Sequence, residues 1–497
     1  MAALLLLALP LQMLAQTPVI KMTTELTPDE SISLFLSFTG EVTITSGGQT
    51  ETWDEENSDK SVSYMLRGQE VTIEGNVTGM ICSLNQLTAL DVSKNTELTM
   101  LYCAQNQLTS LDVSKNVKLE DLICSFNPIK TLDVSQNPEL TELECAQTQL
   151  TALNVSNNPK LKLLNCTQNN IAVLDLSGNL LLETLNCSRN ELDVLNVNSN
   201  PALTGLACAQ NELTALNLSN QTELRTLDCS YNQITTLDVS QNNDLMGLDC
   251  HDNQLTTLAL NKNMGFGWLN CSLNKLTTLD ISHNMGLMWV YCAQNQLTEL
   301  NVSNNTELMT LHCFDNKLTA LNVSNNSQLK KLFCYSNQIK DEQMTTLVNS
   351  LPKRGSAYAK AEYRAAEDDP NSSDVYIIDS KANEGNVLSN ENLKIAKERG
   401  WKMYDNNGGD AIQIEEQTVG IESIAGVGTQ FSITNGTINV RSSRRNAIVE
   451  MYDLQGSLCA KATTDGNGQA RLNVTSLPNG VYVLKIDGKS TKMTLLQ

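Results

Sequence analysis

Cysteine returns every 21 residues without a slip, from Cys82 through Cys103, Cys124 and Cys145 to Cys334, thirteen times in all. A chain that keeps such a metre must build one small unit repeatedly and stack the copies. Laid over that column, the sequence reads L-x-x-L-x-C-x-x-N-x-L-x-x-L-D/N-V-S-x-N-x-x. Leu98, Leu101, Cys103, Asn106, Leu108, Leu111, Val113 and Asn116 make one complete copy. The period excludes most folds before any other residue is read.

Period and pattern belong to the leucine-rich repeat class, a mainly β solenoid that presents one long face to partners. Within L-x-C, alternation along a strand sends Leu and Cys inward and the residues between them outward. Asn follows Cys by three residues in twelve of thirteen turns, with Thr148 the exception. A second column runs through Asn95, Asn116, Asn137, Asn158, Asn179 and Asn200, and Gln221 is its only break before Asn326. A buried amide has two donors and an acceptor, so both columns are expected to satisfy backbone groups where the chain leaves the sheet. Ser93, Ser114 and their equivalents fit a similar turn role. The two halves of each repeat echo one another, and a ten-plus-eleven period has no room for a full α-helix. A parallel sheet on one face and short extended or 3₁₀ segments on the other are therefore expected.

The cysteines themselves are not the chemistry. Equivalent positions of successive turns would lie about 4.8 Å apart with parallel Cβ vectors, a poor geometry for a disulfide. Thirteen is odd, and a straight column cannot wrap four thiolates around zinc. Cys is expected to replace an inward Leu as a small buried hydrophobe. Cys459 stands apart, and the sequence gives it no partner.

The formal charge of −21 argues against nucleic acid or an anionic membrane as the main partner. The opening MAALLLLALPLQMLAQ is too short to span a bilayer but fits a secretory signal peptide over residues 1–15, with a buried N-terminal helix as the alternative. No Lys or Arg precedes its apolar run, so a basic start would lie upstream. No later segment is long and apolar enough for a transmembrane helix.

The ends read as covers for the stack. Residues 17–78 alternate over Ile32–Phe38, Val42–Ser46 and Val71–Glu74, which predicts a β-rich N-terminal cap ahead of repeats at 79–345. Residues 346–415 are expected to form an α/β C-terminal cap. A short helix over Asp341–Leu351, stopped by Pro352, would lead into it, and the cap itself would hold a strand at Val375–Asp379 and a helix from Ser389 to Gly400. Residues 416–424 read as a linker. Residues 425–497 carry 8 Lys/Arg against 4 Asp/Glu, net +4, which leaves −25 for the rest. Their alternating segments between turns predict a small Ig-like β-sandwich. Read from pattern alone, it is only an Ig-like module, with a carbohydrate binder as one use of it.

The nested pattern over residues 79–345 resembles the leucine-rich repeats of bacterial surface proteins, and is most similar to internalin-J-like proteins of Bacteroidota such as Porphyromonas. The tail resembles the C-terminal sorting domain of the type IX secretion system through Tyr452-Asp453-Leu454-Gln455-Gly456, Leu477-Pro478-Asn479-Gly480-Val481-Tyr482 and the basic Lys489–Lys492. These resemblances imply export by that machinery, attachment to the outer-membrane surface or release, and a role in adhesion, biofilm or host interaction.

Where a partner would dock is suggested by the outward positions: three before each Cys, one before, and one after. Middle turns carry small or polar residues there, such as Thr184, Asn186 and Ser188. Late turns carry Trp268, Trp289, Tyr291, His312, Phe314, Phe333 and Tyr335, with His251 just upstream. Rigid rings on adjacent strands suit a protein or glycan partner, although the C-terminal cap or tail could instead cover them. Glu142 and Glu144 beside Asp121 read as a solvated acidic face. No hydrolase, zinc-protease, P-loop or dinucleotide motif is present, and Asp405–Asp410 is too incomplete for a calcium loop. No catalytic residue, metal or cofactor is therefore assigned. The expected function is non-enzymatic surface binding through the concave face. A self-associating matrix scaffold and, behind it, a glycan-acting hydrolase are the alternatives.

Overall fold

The computed structural model describes residues 17–354, 373–382, 385–414, 422–424, 429–434, 437–441, 445–453, 455–478, 480–486 and 489–495. The expected signal peptide, most of the linker and Leu454 lie outside these residues. The chain divides into two compact units, Met1–Leu276 and Thr277–Gln497.

The first unit opens with antiparallel strands Val19–Thr24, Ser31–Ser46, Gln49–Trp53, Lys60–Met65 and Glu70–Ile81. Alternate residues of Ser31–Ser46 point inward, burying Ile32, Leu34, Leu36 and Ile44 completely. Cap passes into repeat within a single strand. The start of Glu70–Ile81 pairs antiparallel with Val19–Thr24, and its last residues, Gly79 to Ile81, pair parallel with Met100 to Tyr102. From there each turn contributes a three-residue strand whose central residue is buried, and Leu164, Leu185, Leu206 and Leu227 lie in exact 21-residue register. Cys82 through Cys271 form no disulfide, and each is fully buried. Burial pushes the thiols of Cys82, Cys124 and Cys166 up to about 12, so they sit neutral inside. The opposite side is built of turns and extended segments, and only Thr236–Asp238 and Thr257–Ala259 pair there as parallel strands beyond the first repeat.

The Asn columns explain how the chain turns. Two residues after each Cys of this unit the backbone is left-handed, with φ between 51° and 62° at Leu84, Gln105, Phe126, Gln147, Gln168, Arg189, Gln210, Tyr231, Asp252 and Leu273. None of these is glycine, so the corner carries a conformational cost that something must offset. The next residue does so. Asn211 Nδ2 donates to the carbonyls of Cys187 and Cys208, both at 3.1 Å, and its Oδ1 accepts from Leu192 N at 3.0 Å. Each amide thus ties its own corner to the turn before. Thr148 supplies only the donor, Oγ1 to Cys145 O at 2.7 Å, and Ile129 N turns to Asn127 O at 2.9 Å instead. The second column works through donors alone. Asn116 Nδ2 reaches Val92 O at 3.1 Å and Asn95 O at 2.8 Å, while its Oδ1 has no hydrogen-bond partner. That asymmetry explains why the longer Gln221 fits, with Nε2 on Val197 O at 2.7 Å.

One turn departs from the expected column. Asn263 is only half-buried, and Asn261 takes the interior place, donating to Asn242 O at 2.5 Å. Here the fully buried Phe266 occupies the slot that Leu245 fills one turn earlier, and the wider ring comes with a rearranged corner. The serines of D-V-S turn to the preceding carboxylate: Ser93 N donates to Asp91 Oδ1 at 2.9 Å, and the Ser93 hydroxyl first, with this N–H second, holds the Asp91 carboxyl below its ordinary range.

In the second unit, turns at Cys292, Cys313 and Cys334 continue the pattern, with left-handed residues at Gln294, Asp315 and Ser336. Helix Asp341–Ser350 follows, then strand Asp374–Ile378, helix Asn390–Glu398 and strand Lys402–Asp405. The cap imitates the repeat it seals. Val375 pairs in register with Leu332, and Asn386 Nδ2 donates to Cys334 O at 2.8 Å, as the Asn of another turn would. Ser389 and Asn392 form a capping box at the second helix. The tail folds as two four-stranded antiparallel sheets around Ile438, Val440, Val449, Met451, Leu472 and Leu484. Its first strand, Glu422–Ile424, lies ahead of residue 425.

Asn211→Leu should lower unfolding free energy by about 1–3 kcal/mol, the cost of stranding buried backbone groups, in a denaturant titration at unchanged far-UV spectrum. A loss below the error of the titration would contradict this role.

Candidate functional site

On the sheet of the second unit the outward residues form three files. Three before Cys stand Trp289, Thr310 and Lys331, which the strand register continues into Asp374 and Lys402. One before Cys stand Tyr291, His312 and Phe333, continued by Tyr376 and Tyr404. One after stand Phe314 and Tyr335, stacked at 4.6 Å and 12°.

The middle file is a ladder of rings. Tyr291 meets His312 edge-on at 4.7 Å, His312 lies 4.1 Å from Phe333, Phe333 stacks on Tyr376 at 4.1 Å and 7°, and Tyr376 stacks on Tyr404 at 5.0 Å. Strands about 4.8 Å apart set this spacing, so rings at one register position must stack. Phe333 and Tyr376 each have a ring on either side and offer the solvent mainly their edges. Every ring of the ladder is half-buried, and Trp289 is 37% exposed. Burial, then the charge of Lys331, lowers His312 to about 4, so its ring is neutral at physiological pH.

The sequence reading placed Tyr291, His312, Phe314, Phe333 and Tyr335 on one face, and the structure brings these five together. It missed Tyr376 and Tyr404, because the 21-residue metre ends at Cys334 and the cap strands arrive by another spacing. The described cap residues lengthen the ladder by two rings.

Trp268 and His251 belong to the first unit. His251 Nδ1 lies 2.6 Å from Asp249 Oδ1, and its ring meets Tyr231 edge-on at 4.5 Å. Trp268 pairs in register with Gly247, and its Cε3 comes within 3.3 Å of where a β carbon on that glycine would sit. It bounds a shallow depression of about 320 Å³ whose other walls include Thr184, Asn186, Asp228 and Asp249.

Nothing here assembles a nucleophile and base. Ser230 Oγ, the hydroxyl in the same file as His251, donates to Asp228 Oδ1 at 2.6 Å rather than to the imidazole. Burial first, and then Asp121 and Glu144, push the Glu142 carboxyl up, but it lies on an open sheet. Asp405–Asp410 is a turn in which Asp405 Oδ1 accepts from Ser380 N and Asn407 N. Among the described residues no group of His, Cys, Asp and Glu is placed to hold a metal ion, and no helix is long and apolar enough to cross a membrane.

Residues 434–495 match the secretion system C-terminal sorting domain family. The functional domain of InlJ from Listeria monocytogenes, described as including a cysteine ladder, is 26% identical over 87% of this chain and 93% of that one, with a TM-score of 0.52. An internalin, InlF, from the same organism is 24% identical over 55% of this chain and 78% of that one, with a TM-score of 0.45. No curated protein matches the sequence. The chain therefore has an internalin-like leucine-rich repeat fold followed by a type IX sorting domain, and is secreted or attached at the cell surface.

The depressed His312 value fixes a pH response. An unfolded imidazole takes up its proton near pH 6.5, whereas the folded ring refuses it until about 4. The contribution of this residue to stability is thus complete above about pH 6.5 and is lost as pH falls toward 4. A ¹⁵N ring titration by NMR should keep His312 neutral at pH 5, and a midpoint near the unperturbed value would contradict the packed ladder.

Proposed function

We propose that the protein is a non-enzymatic surface adhesin whose second unit docks a protein on another cell through Trp289 and the ladder from Tyr291 to Tyr404. The carrying observation is the ladder itself. Eight rings on one face, Trp289 in one file, five in the ladder and Phe314 and Tyr335 in a third, cost apolar exposure that an unpartnered surface has no reason to bear. Rings whose flat faces already stack on one another suit the aliphatic and aromatic side chains of a protein better than a sugar, which needs an open face. The likeness to the InlJ domain and the sorting tail support display outside the cell, and the pairing of the two features fits a Bacteroidota surface protein of the Porphyromonas type. We take residues 79–345 as the binding stack, 17–78 and 346–415 as its caps, and 425–497 as the export signal. Biofilm and host attachment are the settings this reading favours.

A self-associating scaffold would use the same rings against a second copy. Sedimentation over a wide concentration range separates the two, since an adhesin stays at one sedimentation coefficient.

The double variant Trp289→Ala/Tyr291→Ala should reduce attachment of the labelled full-length protein to a partner cell layer at least about tenfold while the melting curve holds, in keeping with loss of two interface anchors. Protease treatment of that layer should abolish attachment as well. Attachment untouched by the double variant would remove the ladder from the binding surface.

A further inference from the structure

The first unit carries a second feature, unlike the ladder in chemistry. Along the file three residues before Cys, the residues run Thr184, Gly205, Thr226, Gly247 and Trp268 in unbroken strand register. Glycine thus alternates with a larger residue: Gly205 leaves an open well, and Gly247, two strands and about 9.6 Å away, is where the Trp268 indole leans. That separation is the length of two sugar rings in an extended chain. Beside this row, in the file one before Cys, stand Asn186, Ala207, Asp228 and Asp249.

The depression they enclose is about 320 Å³, at the small end of ligand sites. Its groups suit a polyol. Among the described residues Trp268 makes no ring stack, and it bounds one end of the depression with its indole leaning over Gly247. Asp228 and Asp249 are half-buried and anchored through Oδ1 by Ser230 and His251, while among the described residues nothing donates to either Oδ2. The hydroxyls of Thr184 and Thr226 and the amide of Asn186 add both donors and acceptors. No Lys or Arg lines the depression, so the two carboxylates would repel an acidic sugar.

We propose that this depression binds a neutral, extended oligosaccharide running across the strands, one ring stacked on Trp268 where it leans over Gly247 and the chain continuing toward the well at Gly205. The carboxylates accept from sugar hydroxyls, as charge-assisted bonds that also fix the orientation of the chain. This site is separate from the protein-docking ladder and stands without it. A partner glycan held here would add a second, independent contact to attachment.

Calorimetric titration of the full-length protein with cellohexaose and with chitohexaose tests the assignment. At least one should bind with an affinity little changed by added salt, because no charge is neutralised on the ligand. Trp268→Ala should weaken it about tenfold or more, the ordinary share of a stacked ring. Gly205→Thr should do the same by filling a well. The fold accepts this change, since Thr184 and Thr226 already occupy the flanking strands and a β carbon at Gly205 comes no closer than 3.5 Å to any neighbour. Trp289→Ala/Tyr291→Ala should leave oligosaccharide binding intact, which keeps failure here distinct from failure of the ladder. Absence of binding at millimolar sugar would overturn the proposal, as would binding that survives both Trp268→Ala and Gly205→Thr. So would an arginine-rich peptide that takes the site in place of sugar and is released by salt.

Discussion

One amide per turn makes the rest possible. At each corner the backbone enters a left-handed conformation with an ordinary L residue, as at Gln210 with φ of 54°, and the following Asn closes the carbonyls and N–H groups that this bend exposes. Because the same side chain holds its own turn and the one before, the corner cannot relax independently. The Leu and Cys files are then forced into line, and burial of those apolar side chains, each worth about 1.5–3 kcal/mol for a residue the size of Leu, supplies the stabilisation. The amides give geometry and the files give free energy. Neither suffices alone, since an unsatisfied amide costs roughly what a buried Leu contributes.

A backbone fixed in this way leaves the outward residues free to vary. In the first unit the variation includes an acidic patch at Asp121, Glu142 and Glu144 and a depression floored by glycine. In the second it produces a ladder of rings. Identical strands thus carry two chemistries, one of stacked rings presenting edges and one of a lone indole beside hydrogen-bonding groups. The spacing of parallel strands decides which is which: aromatic neighbours in a file stack, and a glycine beside a tryptophan leaves room for the indole to lean. The cap joins in, because Tyr376 and Tyr404 enter in the register that the repeats established.

Much of this was legible from spacing. The inward Leu and Cys files, both Asn columns, the short helix ahead of Pro352 and the Ser389 cap all follow from residue type and period. What escaped the sequence were features that depend on neighbours far apart in the chain. Asn386 replaces a repeat Asn from outside the metre, so no count could find it. The shift from Asn263 to Asn261 comes in the turn where Phe266 fills a Leu slot, which a pattern of apolar letters treats as equivalent. The left-handed corners fall on Gln, Leu, Phe, Arg, Tyr, Ser and Asp, of which only Asp favours such a conformation. Trp268 and Trp289 look alike in sequence, at the same register position one turn apart, yet Trp268 pairs with Gly247 and Trp289 with Thr310.

The closed stack is tested most directly by counting reactive thiols in the undenatured protein. Mass spectrometry after brief iodoacetamide treatment at neutral pH should find one label, on the half-buried Cys459, with the thirteen interior thiols modified only after denaturation. Labels spread along Cys82 to Cys334 without denaturant would mean that the turns do not close, and neither proposed binding face would then exist.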